Sequence, residues 1–332
     1  MLFCRNFGEK GYLCSMQLNA ITGKSALMAI LLLVAILVAT AVRYSLAPFE
    51  VELADSEFSG RVMSFVLAVF LFLCCGIIAG KILPRSGLSK GYCTLPIPLY
   101  GVLACGLFVA PDTLSAATAS LCFAEALYLL LRSLHGAGEK DSVFFASMLL
   151  GAMVLLSPPS VVLVATIPIA VFVLALSLRQ ALLMAVGYVL PLFSASYVVW
   201  YKGGTIFEFW QNLYSTLMTT QMAAIENIPF LSIAMVAVVI AVLLWGMVYA
   251  VVRPDKMFML SRVRRALYLF LWVSLLSLTM LFIPACSLSA CAIVAVPAAI
   301  LLSFVLGILP NNHATIAYWL LLALFVSHLF VA

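Results

Sequence analysis

The 332-residue sequence predicts an all-α protein, a polytopic transmembrane helical bundle of about eleven spans. Three observations predict it. Apolar residues make up 66% of the chain and charged residues only 9%, where a soluble domain carries roughly 25% charged residues. The apolar residues come in long runs and not in alternation, which excludes an outer-membrane barrel. The Lys and Arg residues are dealt out between those runs, which is how membrane topology is written. A soluble enzyme and a disordered chain are excluded by the same composition. So is a nucleic-acid partner, because the net charge of +5 is not pooled into one basic patch. The first partner implied is the lipid bilayer.

Taken in order, the apolar runs cover 25–42, 62–80, 91–110, 114–131, 143–156, 161–178, 181–200, 231–252, 266–283, 289–309 and 314–332. The breaks between them have causes. Pro111-Asp112, Ser157-Pro158-Pro159-Ser160, Pro284 and Pro310-Asn311-Asn312 are helix stops followed by residues that cap the next helix. The third run holds Pro96 and Pro98 near its start, so its first turn is expected to be irregular. The fifth run is short unless Asp141 and Ser142 extend it. The first run resembles a signal peptide at Ala39-Thr40-Ala41, but it is longer than a signal core of about 7–15 residues.

The whole chain, 1–332, reads as a single integral membrane domain. Residues 1–24 form an N-terminal cytoplasmic segment. With that end inside, fourteen Lys and Arg fall on the cytoplasmic side, and Arg43, Arg61 and Lys202 fall on the other. So uneven a split predicts a cytoplasmic N-terminus, a periplasmic C-terminus and the odd number of spans. Two outer stretches have length. One is an acidic first periplasmic loop, 43–61. The other is 201–229, where Ile206, Trp210, Leu213, Tyr214 and Leu217 recur at helical spacing opposite Glu208, Gln211 and Ser215. That pattern predicts an amphipathic helix at the periplasmic interface or on the rim of the bundle.

Candidate chemistry is sparse. Glu50, Glu52, Asp55 and Glu57 crowd four carboxylates into the first loop. Such a group can bind a cation or supply a general base; as a plain solvated loop it would do neither. Asp112, in the next outer turn, caps a helix or faces the same site. Glu125 lies inside the fourth run, seven residues before Arg132 and so about 10 Å from that end. An intramembrane carboxylate is costly and needs a partner or a proton; it is a relay candidate or a hydrogen-bonded packing residue. Three histidines, with His135 on the opposite side from His313 and His328, exclude a four-histidine metal centre within one chain. Neither the metal nor any cofactor can be named from sequence. No P-loop, GxGxxG after a strand, GxSxG or HExxH is present. Gly76 and Gly80 form a GxxxG face suited to close helix packing. The nine cysteines include no CxxC; Cys286 and Cys291 flank one short loop and could pair in an oxidising compartment.

The stretch 109–178 runs Pro111-Asp112, an Ala/Ser-rich helix, Leu129-Leu130-Leu131-Arg132, a short polar turn, Leu150-Gly151-Ala152-Met153, then Ser157-Pro158-Pro159 and another apolar span. It resembles the central helices of the GT-C membrane glycosyltransferases, which use lipid-linked sugars. That resemblance implies acidic catalytic residues in the first outer loop, here among Glu50, Glu52, Asp55 and Glu57. It implies a second acid at Asp112, and a polyprenyl-linked glycan as partner. The first loop is short for that superfamily, and no large soluble domain follows the helices. The whole chain also resembles an uncharacterised family of polytopic proteins of the Gram-negative inner membrane, which implies location and helix count but no reaction. The expected function is therefore a multi-pass inner-membrane protein, GT-C-like and acting on lipid-linked glycan at the outer leaflet. The alternatives are a non-enzymatic subunit or scaffold of an envelope assembly and, third, a transporter coupled through Glu125.

Overall fold

A computed structural model describes residues 26–46, 55–86, 88, 94–106, 113–133, 140–218, 230–252, 261–283, 286 and 290–331. Among the described residues every regular element is helical. The helices are α1 (Ala26–Leu46), α2 (Asp55–Arg85), α3 (Pro96–Gly106), α4 (Thr113–Arg132), α5 (Lys140–Leu156), α6 (Thr166–Leu174), α7 (Leu178–Tyr201), α8 (Ile206–Met218), α9 (Phe230–Val252), α10 (Ser261–Met280), α11 (Cys291–Ile308) and α12 (Asn311–Val331). A 3-10 segment, Pro158–Ala165, precedes α6. Among the described residues five helices contain a stretch long and apolar enough to cross a membrane: Met63–Arg85, Leu114–Arg132, Leu178–Tyr201, Cys291–Ile308 and Asn312–Phe330. The chain is built as a helical membrane protein.

The predicted breaks at Ser157-Pro158-Pro159-Ser160 and Pro310 fall between helices, those at Pro111-Asp112 and Pro284 lie outside the described residues, and three runs differ in detail. Among the described residues the third run forms the 11 residues of α3, about 16 Å of helix. Pro96 sits at its first position, where a missing N–H costs nothing. All of the residues from Thr94 to Cys105 are buried, so α3 lies within the protein and not against lipid. The fifth run is extended as its polar flank allows, starting at Lys140. The sixth run is not one α-helix. Eight residues of 3-10 helix are followed by nine of α-helix. A 3-10 turn rises about 2.0 Å per residue against 1.5 Å, so these residues reach about 30 Å where an α-helix would reach about 25 Å.

The segment 43–61 is likewise less of a loop than its charges suggest. Helix α1 runs on to Leu46 and α2 begins at Asp55, leaving 47–54 between them. Asp55, Ser56 and Glu57 are the residue types that favour a helix N-terminus, where carboxylates meet the positive end of the dipole.

Helix α11 is the centre of the bundle. It touches α2, α3, α4, α9, α10 and α12. From Cys291 to Leu306 its residues are buried, with Ala298 half-buried. Around it, close approach is set by glycine. A methyl on Gly76 would lie 2.6 Å from Leu33 Cδ2, and one on Gly80 would lie 2.7 Å from Ile97 Cγ1. The GxxxG face therefore seats α2 against α1 and α3. Gly151 of α5 meets the backbone of Tyr188 on α7, and Gly187 of α7 meets Ser147 and the Phe144 carbonyl on α5. These small residues let two backbones approach where side chains would hold them apart.

Helices α2 and α4 run side by side in the same direction, Cys75 meeting Ser120 and Arg85 meeting Tyr128, so Arg85 and Arg132 share one end of that pair and the start of α2 lies at the other.

Candidate functional site

The predicted acidic residues divide three ways. Glu50, Glu52 and Asp112 lie outside the described residues. Asp55 and Glu57 occupy the first turn of α2. Glu125 is on α4, half-buried, on a stripe with Thr118, Cys122, Tyr128 and Arg132 that is only partly covered.

The register between α2 and α4 places the start of α2. Cys75 Sγ on α2 donates to the Ser120 carbonyl on α4 at 3.5 Å. Asp55 is twenty residues before Cys75, about 30 Å up the axis, while Thr113 is seven before Ser120, about 10 Å up. The first turn of α2 therefore stands roughly 20 Å beyond the start of α4. Helix α1 ends between these levels. Its Leu33 packs at Gly76, and Leu46 is thirteen residues further on, about 20 Å up. Asp55 and Glu57 sit on an overhanging helix.

The opposite end holds a different arrangement. Arg85 Nη1 donates to the Tyr128 hydroxyl, and its guanidinium carbon is 4.9 Å from the Tyr128 ring centroid. The cation is thus held by both the hydroxyl and the ring face. Tyr128 is one turn from Glu125 on α4. The Glu125 carboxylate forms no hydrogen bond or ion pair with the described residues.

The predicted amphipathic helix is α8. Phe209, Trp210 and Leu213 pack against the core, while Phe207, Tyr214 and Met218 are exposed. Ser196 Oγ on α7 donates to the Ile206 carbonyl at 2.8 Å, and the Phe193 and Trp210 rings meet edge-on at 6.3 Å. Residues 206 to 210 thus run back beside 196 to 193. Glu208 folds onto the helix start, accepting from the Thr205 N–H at 3.2 Å. Helix α8 also touches the 3-10 segment. It is a rim helix with an aromatic outer face. Tyr197, Trp200 and Tyr201 are exposed beside it, the composition of an interfacial belt.

Sequence reasoning missed the hydroxyls of the sixth apolar run. Ser160 and Thr166 are both wholly buried. Their spacing of six is two turns of a 3-10 helix and would have aligned them had the run been read with that period. The Cys286 and Cys291 sulfurs are not bonded to each other. Burial pushes the Cys286 thiol up to about 12, with the neighbouring Cys291 adding to it. Among the described residues no group of three or more His, Cys, Asp or Glu is arranged to hold a metal. No protein-family model, curated protein or solved structure matches the chain.

Proposed function

We propose that the chain crosses the bacterial inner membrane eleven times, with its N-terminus cytoplasmic and its C-terminus periplasmic, and acts on a lipid-linked glycan at the outer leaflet in the manner of a GT-C transferase. The uneven division of Lys and Arg among the segments between the apolar runs supports the orientation, since cytoplasmic flanks are the ones enriched in Lys and Arg. The observation that carries the functional reading is the overhang of α2. A carboxylate pair about 20 Å beyond the start of the neighbouring helix stands at headgroup level or above. There it meets the sugar of a polyprenyl-linked glycan and not the polyprenyl chain. Glu50, Glu52, Asp55 and Glu57 are then the base or the cation site, Asp112 the second acid, and α8 the interfacial helix beside the lipid.

The test is substitution of these five acids, one at a time, by the amide, in a strain lacking the protein. Loss of envelope glycan with at least one variant that still reaches the membrane is the expected result. Full restoration by every variant sinks the catalytic reading. A cysteine placed at Asp55 is expected to react with an impermeant maleimide in intact spheroplasts; reaction only after lysis inverts the threading.

A second reading is favoured by α8, whose exposed face mixes Phe207 and Tyr214 with Gln211, Asn212 and Thr216. Such a face suits a protein partner as well as lipid, so the chain serves as a membrane scaffold. Native purification that recovers the protein alone counts against it.

A further inference from the structure

Arginines gather where α6 ends and α7 and α10 begin. Arg265 Nη1 donates to the Leu174 carbonyl at 3.5 Å, so the first turns of α10 stand at the last residue of α6. That carbonyl is one of the orphans a helix C-terminus leaves, and a cation there also meets the negative end of the dipole. The bond uses one of the five N–H donors of the guanidinium. Arg264 is the adjacent residue of α10. The chain leaves α6 through Ala175, left-handed at φ 53°, and the Leu176 N–H donates back to the Val171 carbonyl at 3.0 Å. Ser177 then caps α7, and Arg179 lies in its first turn. Arg179 is five residues from Leu174, at most about 18 Å of chain, and the turn at Ala175 shortens that span. All three arginines are exposed. Among the described residues Arg179 and Arg264 make no hydrogen bond or ion pair, and Arg265 makes none beyond Leu174. Asp141, exposed at the start of the neighbouring α5, pairs with none of them.

Beside the arginines the surface is apolar. Helix α10 touches both α6 and the 3-10 segment that precedes it. Starting from Leu174, it therefore runs back along α6, antiparallel to it. At 1.5 Å per residue, Phe172 and Tyr268 stand about 3–5 Å from the contact of Arg265 with Leu174, and Pro168 and Trp272 about 9–11 Å from it. All four are exposed, Phe172 at 88%. Arg264, Tyr268 and Trp272 follow at intervals of four and so line one face of α10.

We propose that this edge binds an anionic phospholipid, its phosphate held by Arg179, Arg264 and Arg265 and its acyl chains laid along Phe172, Tyr268 and Trp272. Charge sets the class of ligand. Three cations without a carboxylate repel one another, and an anion relieves the repulsion. Arginine also matches phosphate, giving two parallel N–H bonds to its oxygens. A free phosphate would use the arginines and leave the apolar strip uncovered, and a zwitterionic lipid brings its own cation to the arginines. An amphiphile of net negative charge uses both parts. The site requires the bundle to lie in a bilayer and does not rest on the transferase reading.

Native mass spectrometry of the full chain, released from nonionic detergent, tests this with phosphatidylglycerol as the probe and phosphatidylcholine as the neutral comparison. Phosphatidylglycerol is expected to bind more tightly. One basic residue near a membrane surface changes affinity for anionic lipid about fivefold, so the double variant Arg179→Gln, Arg264→Gln should bind phosphatidylglycerol about 25-fold more weakly, with phosphatidylcholine unaffected. Both side chains are exposed and unbonded, so the variant keeps the fold. Lys202→Gln removes an exposed cation at the far end of α7 and should leave binding unchanged. Equal binding of the two lipids by the parent, no loss in the double variant, or the same loss in Lys202→Gln overturns the proposal. A second measurement uses the parent alone. A ligand of the folded state raises the melting temperature, and phosphatidylglycerol should raise it in micelles where an equal concentration of inorganic phosphate does not. Equal rises from both would make the arginines a site for a free anion and overturn the lipid.

Discussion

Consider Gly151→Ala, a change of one methyl at the pairing of α5 with α7. Built on the backbone, that methyl falls inside contact distance of the Tyr188 carbonyl oxygen and 2.7 Å from Pro191 Cγ. Carbon atoms pack best at about 3.5–4.0 Å, so the two helices must part by about 1 Å. Neither neighbour yields easily. One is backbone, and the other is a ring locked into α7. Overpacking of this kind costs about 1–3 kcal/mol, and the backbone obstacle places the expectation near the upper figure. Alanine in a helix otherwise gains about 1 kcal/mol over glycine, so the net loss is about 2 kcal/mol. Gly307 is the internal control. A methyl there meets nothing within 4 Å, so Gly307→Ala retains the gain of about 0.5–1 kcal/mol. Equilibrium unfolding of both variants in mixed micelles measures the difference, which should approach 3 kcal/mol by these terms. Equal stability of the two variants would refute the claim that glycine sets the α5–α7 distance.

Three further outcomes follow from the same packing. Tyr128→Phe keeps the ring under the Arg85 guanidinium and removes its acceptor, so it should cost about 1 kcal/mol, and Tyr128→Leu about 1 kcal/mol more; identical losses would show that the ring face contributes nothing. With its thiol held protonated up to about 12, Cys286 in the folded chain should resist maleimide at pH 7 and pH 9 alike, while denaturant releases it. Fast labelling that follows an ordinary thiol titration near pH 8.5 would show that the loop before α11 does not bury it. Glu125→Gln removes a half-buried carboxylate that binds nothing described around it. The variant should accumulate in the membrane at least as well as the parent. A marked fall in its level would reveal a partner for the charge, and an unchanged cellular phenotype would remove Glu125 from any proton relay.

Much of the architecture was legible in the chain itself. Helix existence and most breaks follow from local causes: apolar runs too long for strands, Pro158-Pro159 and Pro310 as stops, and Lys or Arg at alternate run ends. The amphipathic pattern over α8 was readable because one face of that helix meets water or headgroups, and polarity then reports direction. The acidic cluster was visible as residues but not as a position. Nothing in 43–61 announces that α2 overhangs its neighbours, because the overhang comes from the register of Cys75 with Ser120 and not from the loop.

The rest was decided by packing, for a physical reason particular to membranes. Inside a bilayer the side of a helix facing lipid and the side facing protein are both apolar, so hydropathy carries no record of which way a span turns. Helix α11 and the lipid-facing part of α7 read alike as apolar runs, yet α11 is the buried centre and α7 exposes Val186, Leu190 and Phe193. What separates them is shape: where Gly76, Gly151 and Gly187 admit a neighbour, and where the sixth apolar run takes 3-10 turns before it becomes α-helix. The chain alone determined that its helices are long and apolar and, at Pro158-Pro159 and Pro310, where they break. Only the assembled bundle determined which faces meet, because that depends on volumes brought together from distant parts of the sequence.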